Sequence, residues 1–366
     1  MPWIQSSDLK EDKVCDIKAK KHISVKAIQQ SSAKKISKNS IAIVTRVSVG
    51  KLVLMPYEYA TSQDFLSISV LQVDKWFGVY SLYNKLQSEL NSVQGTSIKG
   101  ITKDELLNKK IMIPKPLKEQ SKIGLFLKKI DTTIALHQRK LDQLKELKKA
   151  YLQLIIVLNS SENSTVPKLR FANFTGEWEL CKLGDELALL KDGTHGTHTD
   201  SLVGPYLLSA KNIKNGKINI TNEDRKISQD EFDRIHSRFS LKKDDILLTI
   251  VGSIGEAAIL RAPEGITFQR SVAYLRSKVI NPEFLYTYIT GPEFQKELKN
   301  RQVVSAQPGI YLGDLDKIPI LFPKTSREQQ KIGTFFQQLD QAITLHQNKL
   351  TQLKFLKKSY LQNMFI

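Results

Sequence analysis

The chain has 366 residues, enough for two domains that each bury a core. It holds 55 Lys and Arg against 37 Asp and Glu, a formal charge of +18, which implies an anionic partner. Cys15 and Cys181 are too few for a disulfide framework or a zinc site, no run is long enough for a membrane helix, and "MPWIQSSDLK" lacks the basic and apolar regions of a signal peptide, so a reducing cytoplasm is expected.

The charge is uneven along the chain. Residues 1–115 hold 18 basic against 10 acidic side chains, and residues 116–160 hold 9 against 4. Residues 161–324 are near neutral at 22 against 21, and residues 325–366 return to 6 against 2. Any nucleic-acid contact by the near-neutral stretch must therefore rest on local patches.

Residues 1–115 read as a first α+β domain. "IAIVTRVSVGKLVLM" (Ile41–Met55) is β-rich and broken by a Gly-bearing turn, "SISVLQV" (Ser67–Val73) alternates like a half-buried strand, and "VYSLYNKLQSEL" is helical. Residues 116–158 predict one long helix, with Pro116 suited to its first turn. Residues 159–165 form a polar linker. Residues 166–324 repeat the α+β pattern, with "ILLTIVGSIGEAAIL" (Ile246–Leu260), "SVAYLRS" (Ser271–Ser277) and a helix capped by Asn281 ahead of Pro282. Residues 325–366 form a second long helix, with Thr325 and Glu328 at capping-box spacing.

The two long helices are copies. "HQRKLDQLKELKKAYLQLI" (His137–Ile155) and "HQNKLTQLKFLKKSYLQNM" (His346–Met364) share 13 of 19 positions at an offset of 209. The match extends upstream without a gap through Pro114–Leu136 and Pro323–Leu345. Apolar residues recur at alternating steps of four and three, so Ile130, Ile134, His137, Leu141, Leu144 and Tyr151 form one seam. Leu339, Ile343, His346, Leu350, Leu353 and Tyr360 form the other. A 3.5-residue period held this long predicts a coiled coil, with each helix the partner of the other. His137 and His346 read as polar residues that set register. The fold class is thus α+β: two mixed α/β domains separated by two long helices packed as an antiparallel coiled coil.

The fronts of the two domains differ. Pro2–Ser6 aligns with Pro205–Ser209, so residues 166–204 have no counterpart before Met1, and a first domain short at its N-terminus is expected.

Reading a duplex takes side chains that reach base edges and cations that grip phosphates. In the first domain the candidates are Lys34, Lys35, Lys38, Thr45, Arg46, Ser48 and Lys51. In the second they are Lys211, Asn212, Arg225, Lys226, Thr249, Ser253, Gln269 and Arg270. His195 and His198 in "DGTHGTHTD" have a spacing that could hold a metal, but a Gly/Thr loop touching DNA or solvent is the preferred reading, and no metal is expected. No P-loop, S-adenosylmethionine fingerprint or Asn-Pro-Pro-Tyr-like motif occurs in the sequence, so no catalytic residue is assigned.

Together "PWIQSSDLK", "RVSVGK"/"VGSIGE", "PKLRFANFTGEW" and the duplicated "EQ.KIG.F...D..I.LHQ.KL" closely resemble the specificity subunit of type I restriction-modification enzymes, over essentially the whole chain. The resemblance implies two target-recognition domains, each followed by a conserved spacer helix, in a non-catalytic DNA-reading subunit of a bacterial defence complex. Its implied partners are double-stranded DNA, two modification (methyltransferase) subunits bringing S-adenosylmethionine and, where present, restriction (nuclease-translocase) subunits bringing ATP and Mg; no membrane is involved. Two dissimilar heads then imply a bipartite, asymmetric site, its two words about one helical turn apart, roughly 34–36 Å. The competing readings are a coiled-coil protein-interaction scaffold, and an inactive or truncated allele that donates a recognition domain by recombination.

Overall fold

Runs of β-branched and aliphatic residues that meet at a glycine turn become antiparallel hairpins in both halves of the chain. The computed structural model describes residues 1–46, 49–92, 100–156, 165–303 and 308–365. These residues divide into two units, residues 1–141 with 345–366, and residues 142–344. Each unit therefore holds one α+β head and one half of each long helix.

In the first unit β1 (Pro2–Ile4) runs beside β2 (Lys21–His22), and a short helix α1 (Val25–Gln29) leads to β3 (Lys34–Ile36). The hairpin of β4 (Ser40–Val44) and β5 (Leu52–Met55) pairs Ile43 with Leu52, and Gly50 takes φ +88° in its turn. β6 (Tyr59–Thr61) joins β1 in parallel, and β7 (Phe65–Ile68) lies antiparallel on β4. The sheets are ordered β2-β1-β6-β3 and β5-β4-β7. α2 (Lys75–Ser92) and α3 (Lys103–Leu107) follow, then the long α4 (Leu117–Ile155). Ile41, Ile43, Leu52 and Leu54 of the sheet meet Val79, Tyr80 and Leu86 of α2 and Leu127 and Ile130 of α4 in one core.

The second unit opens with β8 (Glu179–Lys182), β9 (Leu187–Asp192) and β10 (Tyr206–Leu208). A small hairpin, β11 (Ile213–Lys214) and β12 (Lys217–Ile218), precedes α5 (Gln229–His236). β13 (Ile246–Thr249), β14 (Ala257–Ile259), β15 (Ile266–Phe268) and β16 (Val272–Ser277) complete a sheet of order β14-β13-β16-β9 and a parallel β10-β15 pair. α6 (Pro282–Ile289), α7 (Pro292–Asn300) and α8 (Leu312–Asp316) lead to β17 (Pro319–Phe322), which pairs with β8, and to the long α9 (Ser326–Met364). Asn281 caps α6 as expected, its Oδ1 accepting from the Glu283 and Phe284 amides.

The long helices pair antiparallel within each unit, through contacts that repeat at the offset of 209. In the first unit Lys357 Nζ lies 2.7 Å from Asp131, Phe126 meets Tyr360 edge-on at 4.8 Å, and His137 Nδ1 sits 2.9 Å from His346 Nδ1. In the second unit Lys148 Nζ lies 2.6 Å from Asp340 and Tyr151 meets Phe335 edge-on at 5.1 Å. Of the expected seam, Ile130, Leu141 and Leu350 are buried, while Ile134, His137, Leu144, Tyr151, Leu339, Ile343, His346, Leu353 and Tyr360 are half-buried. A pair of helices has no third wall, so full burial comes only where a head covers the seam.

The heads widen the buried stripe. Leu152 and Leu361, equivalent positions outside the 3.5-residue seam, are buried at 8% and 6% exposure because each also faces a head. Two details differ from expectation. The strand read at Ser67–Val73 lies two residues earlier, at Phe65–Ile68, since the chain must turn toward α2. The Thr325–Glu328 capping box is only half made: Thr325 Oγ1 accepts from the Glu328 amide, but the Glu328 carboxylate is taken by Arg170 at 2.7 and 2.8 Å.

The invariant letters of the repeated motif join helix to head. Gln120 donates to the Pro114 carbonyl and accepts from the Asp74 amide at the start of α2. Gln329 makes the same two bonds to Pro323 and to Asn281 at the start of α6. A Cβ on Gly124 would lie 2.4 Å from the Phe77 amide nitrogen, and one on Gly333 would lie 2.8 Å from that of Phe284. Only glycine lets the two helices come this close.

Candidate nucleic-acid interface

Polar side chains available for recognition must be exposed and not already committed to the fold, and this test sorts the candidates. Thr45 is buried and donates to the Asp64 carbonyl, while its own carbonyl accepts from the Ile101 amide. Thr249 is fully buried, its hydroxyl donating to the Ser253 and Glu256 carbonyls and accepting from the Glu256 amide. Both threonines close the hairpin turn and cannot reach a base edge as placed. Asn212 is likewise buried, its amide bridging the Ser209 amide and the Asn219 carbonyl. These three readings from sequence are corrected: a turn needs hydroxyls and amides for its own orphan backbone groups.

Arg225 is half-buried and holds Asp200 and the His198 carbonyl, so it ties down the 193–205 loop. Lys226 lies 4.9 Å over the Tyr206 ring, and Lys211 pairs with Asp224 at 3.0 Å while staying exposed. Asn212's side chain, the Thr221 amide and Lys211 hold the Asp224 carboxyl well below the usual carboxylate range. Gln269 forms a bridge with Thr194, whereas Ser253 and Arg270 are exposed.

In the first unit Arg46 is exposed and Lys51 half-buried, and both line a cavity with Lys10 and Lys13, two lysines the sequence reading passed over. Lys34, Lys35 and Lys38 are exposed on and just after β3, in a separate sheet from the β4–β5 hairpin; Lys35 pairs with Glu58 at 3.1 Å. Ser48 lies outside the described residues.

The second unit presents a basic edge that the sequence signals and the initial reading missed. "KNGK" (Lys214–Lys217) is an Asn-Gly hairpin turn, with Asn215 at φ 53° and Gly216 at φ 75°. Its β11–β12 hairpin packs beside β14, where the Asn215 amide donates to Glu256 and Gly216 bridges Ala258. Lys214, Asn215, Lys217 and Ser253 are all exposed on these neighbouring hairpins. Lysines suit phosphate contacts, and the short polar side chains suit base edges.

His195 and His198 do not form a metal centre. His195 Nε2 bonds Asp192 at 2.5 Å, while His198 bonds Glu231 at 2.8 Å and Thr194 at 3.0 Å. Among the described residues no group of three or more possible metal ligands converges. The histidines brace the loop to β9 and α5.

A family model described as type I restriction modification DNA specificity domain matches residues 1–146 and again residues 177–354. The chain belongs to this family. Each match spans a head with its adjoining helix, which explains why the long helix occurs twice in a specificity chain. Among curated relatives, it is 25% identical over 294 residues to the MjaVIII type I restriction enzyme specificity subunit of Methanocaldococcus jannaschii, covering 78% of this chain and 68% of that protein. It is 24% identical over 321 residues to the EcoBI specificity subunit of Escherichia coli, covering 81% of this chain and 66% of that protein. The chain thus spans about two thirds of the length of these relatives. In fold it is similar to the crystal structure of a type I restriction-modification S subunit from M. genitalium, with a TM-score of 0.65 at 17% identity over 100% of this chain and 92% of that one.

Proposed function

We propose that the chain is the DNA-reading and assembly subunit of a type I restriction-modification complex, itself non-catalytic and working in the cytoplasm. The observation that carries this reading is the contrast between like scaffolds and unlike tips. Both heads use an antiparallel hairpin closed by a buried threonine, yet one tip offers Arg46 and Lys51 and the other Ser253 beside Lys214 and Lys217. Like scaffolds with unlike tips read unlike words, so the target is bipartite and asymmetric. Exposed cations supply phosphate grip, and the short polar residues at the tips supply discrimination.

The outward faces of the long helices support a second role. Leu136 and Leu345, at equivalent positions, are 64% and 68% exposed, and the equivalent pair Leu147 and Leu356 is 43% and 41% exposed. Apolar residues exposed at the same place in both copies suit two identical partners. Two modification subunits, bringing S-adenosylmethionine, fit that requirement, with ATP and Mg belonging to restriction subunits where these join. No helix among the described residues is long and apolar enough to cross a membrane.

Methylome sequencing of cells expressing the chain with a cognate modification subunit tests the reading. Two different short words at a fixed gap are expected; a palindromic motif or a freely variable gap rejects it. Exchanging residues 211–218 for another hairpin should change one word and leave the other intact.

A further inference from the structure

The two units differ at one face. In the second unit β17 is covered by β8, and β16 carries β13 on one edge and β9 on the other. Glu328, 2% exposed, grips Arg170 of the segment that leads into β8. In the first unit the run Lys110–Ile113, equivalent to β17, is not in a strand. Met112 and Ile113 are 74% and 45% exposed where their counterparts Leu321 and Phe322 are 2% and 5% exposed. β7, the counterpart of β16, pairs with β4, and among the described residues its other edge carries no strand. Glu119, the counterpart of Glu328, is exposed.

We propose that this face of the first unit is a docking seat for a two-strand polypeptide with the chemistry of residues 166–192. The occupant carries an arginine for Glu119, a first short strand antiparallel to Lys110–Ile113, and a second strand along the free edge of β7. Strand addition to an open edge supplies main-chain hydrogen bonds, and the burial of Met112 and Ile113 supplies apolar area. The argument rests on the internal repeat: the second unit displays the occupant already seated on the equivalent surface. Aromatic packing is not what the seat lacks, because Phe77, the counterpart of the Phe284 that meets Trp178, is already covered with Phe365 at 5.3 Å. Specificity therefore lies in the strand edges and in one carboxylate.

The test titrates a fluorescein-labelled peptide of residues 166–192 into the full chain and follows anisotropy. Saturable binding of one peptide per chain is expected. Met112→Asp and Glu119→Arg should each weaken it by about tenfold or more, as expected for loss of apolar burial or of a charge-assisted contact. Because both side chains are exposed, the variants should keep the circular dichroism of the parent. A peptide carrying Arg170→Glu should bind the Glu119→Arg chain better than the parent peptide does. Absence of saturable binding overturns the proposal, as does equal binding by the Met112→Asp chain. Weakening by Glu328→Arg but not by Glu119→Arg places the peptide in the second unit and also overturns it. So does a dimer of the chain that excess peptide fails to dissociate, since the edge then takes a second copy instead.

Discussion

Replacing Lys357 with methionine should destabilise the first unit far more than the same change at its repeat equivalent, Lys148, destabilises the second. Lys357 and Asp131 are 7% and 8% exposed, and the ammonium also donates to the Asp12 carbonyl at 2.9 Å. Tyr80 donates to the other Asp131 oxygen at 2.7 Å, and the Tyr80 and Tyr83 rings lie within 6 Å of the lysine nitrogen, at 5.8 and 5.5 Å. Methionine matches the length of the stem but leaves the Asp131 carboxylate buried with only a phenol to hold it, which costs about 3–5 kcal/mol. Lys148 and Asp340 are 21% and 35% exposed, so water takes over from the lost ammonium and the cost is about 1 kcal/mol or less. Because a chain of two units does not unfold in one step, the readout is amide hydrogen exchange of peptides from α2 and the N-terminal half of α4. At about 1.4 kcal/mol per decade, exchange there should quicken by roughly two to three orders of magnitude in the Lys357 variant. The Lys148 variant should quicken its own region by less than about tenfold. Adding Asp131→Leu to Lys357→Met should recover most of the loss, because the orphaned charge is removed with its partner. Equal penalties at the two lysines, or no recovery in the double variant, would refute the reasoning.

Three further outcomes follow from the contacts described. Gly333→Ala should lower the melting temperature of the second unit, since its Cβ meets the Glu283 and Phe284 backbone and an overpacked contact costs about 1–3 kcal/mol; an unchanged melting curve counts against close approach as the reason for glycine there. Lys214→Ala and Lys217→Ala should weaken duplex binding similarly for all sequences, each reducing the slope of log K against log salt by about 0.9, whereas a sequence-selective loss would mean that these side chains read bases. Burial first, then nearby carboxylates, push both the Cys15 and Cys181 thiols up to about 12, so at pH 8 the thiolate fraction is on the order of 10⁻⁴ and disulfide-exchange reagents should label neither until the chain is denatured; rapid labelling of the native chain contradicts the burial.

The helices, their pairing and the duplicated α+β heads were legible because they rest on periodicity, and periodicity survives in sequence. The seam residues Ile130, Leu141 and Leu350 could be read directly. Leu152 and Leu361 could not, because their burial depends on a head that folds back from elsewhere in the chain. The recognition residues were harder for a different reason. Thr45, Asn212 and Thr249 have the right chemistry for DNA, but a turn wants the same chemistry, and only the bond partners tell the two apart. Lys214 and Lys217 flank an Asn-Gly turn, a signal plain in the sequence that carries more weight than residue type alone. Lys10 and Lys13 have no such signal, since only folding brings them to the Arg46 and Lys51 cavity.

The repeated motif is better understood as three overlapping sets of instructions than as one coiled-coil pattern. Leu127 and Phe336, with the lysine–aspartate pairs, bind helix to helix and helix to core. Gln120, Gly124, Gln329 and Gly333 have no part in that seam; they grip the first turn of α2 or α6 by main-chain hydrogen bonds and close backbone approach. Those contacts are to main chain, at the N-terminus of a helix, and are largely blind to the rest of the head's sequence. A head that begins this helix correctly can therefore be seated on the same helix pair whatever its tips contain. The outward leucines at equivalent positions form the third set, and nothing in the heads constrains them. Separation of the three sets is what allows DNA specificity to change by exchange of a head while assembly with the partners stays the same. It also locates the failure expected of a poor exchange: a head without Asp or Asn at the position of Asp74 or Asn281 loses the cap that the glutamine reinforces, and detaches from the helix before its tips matter.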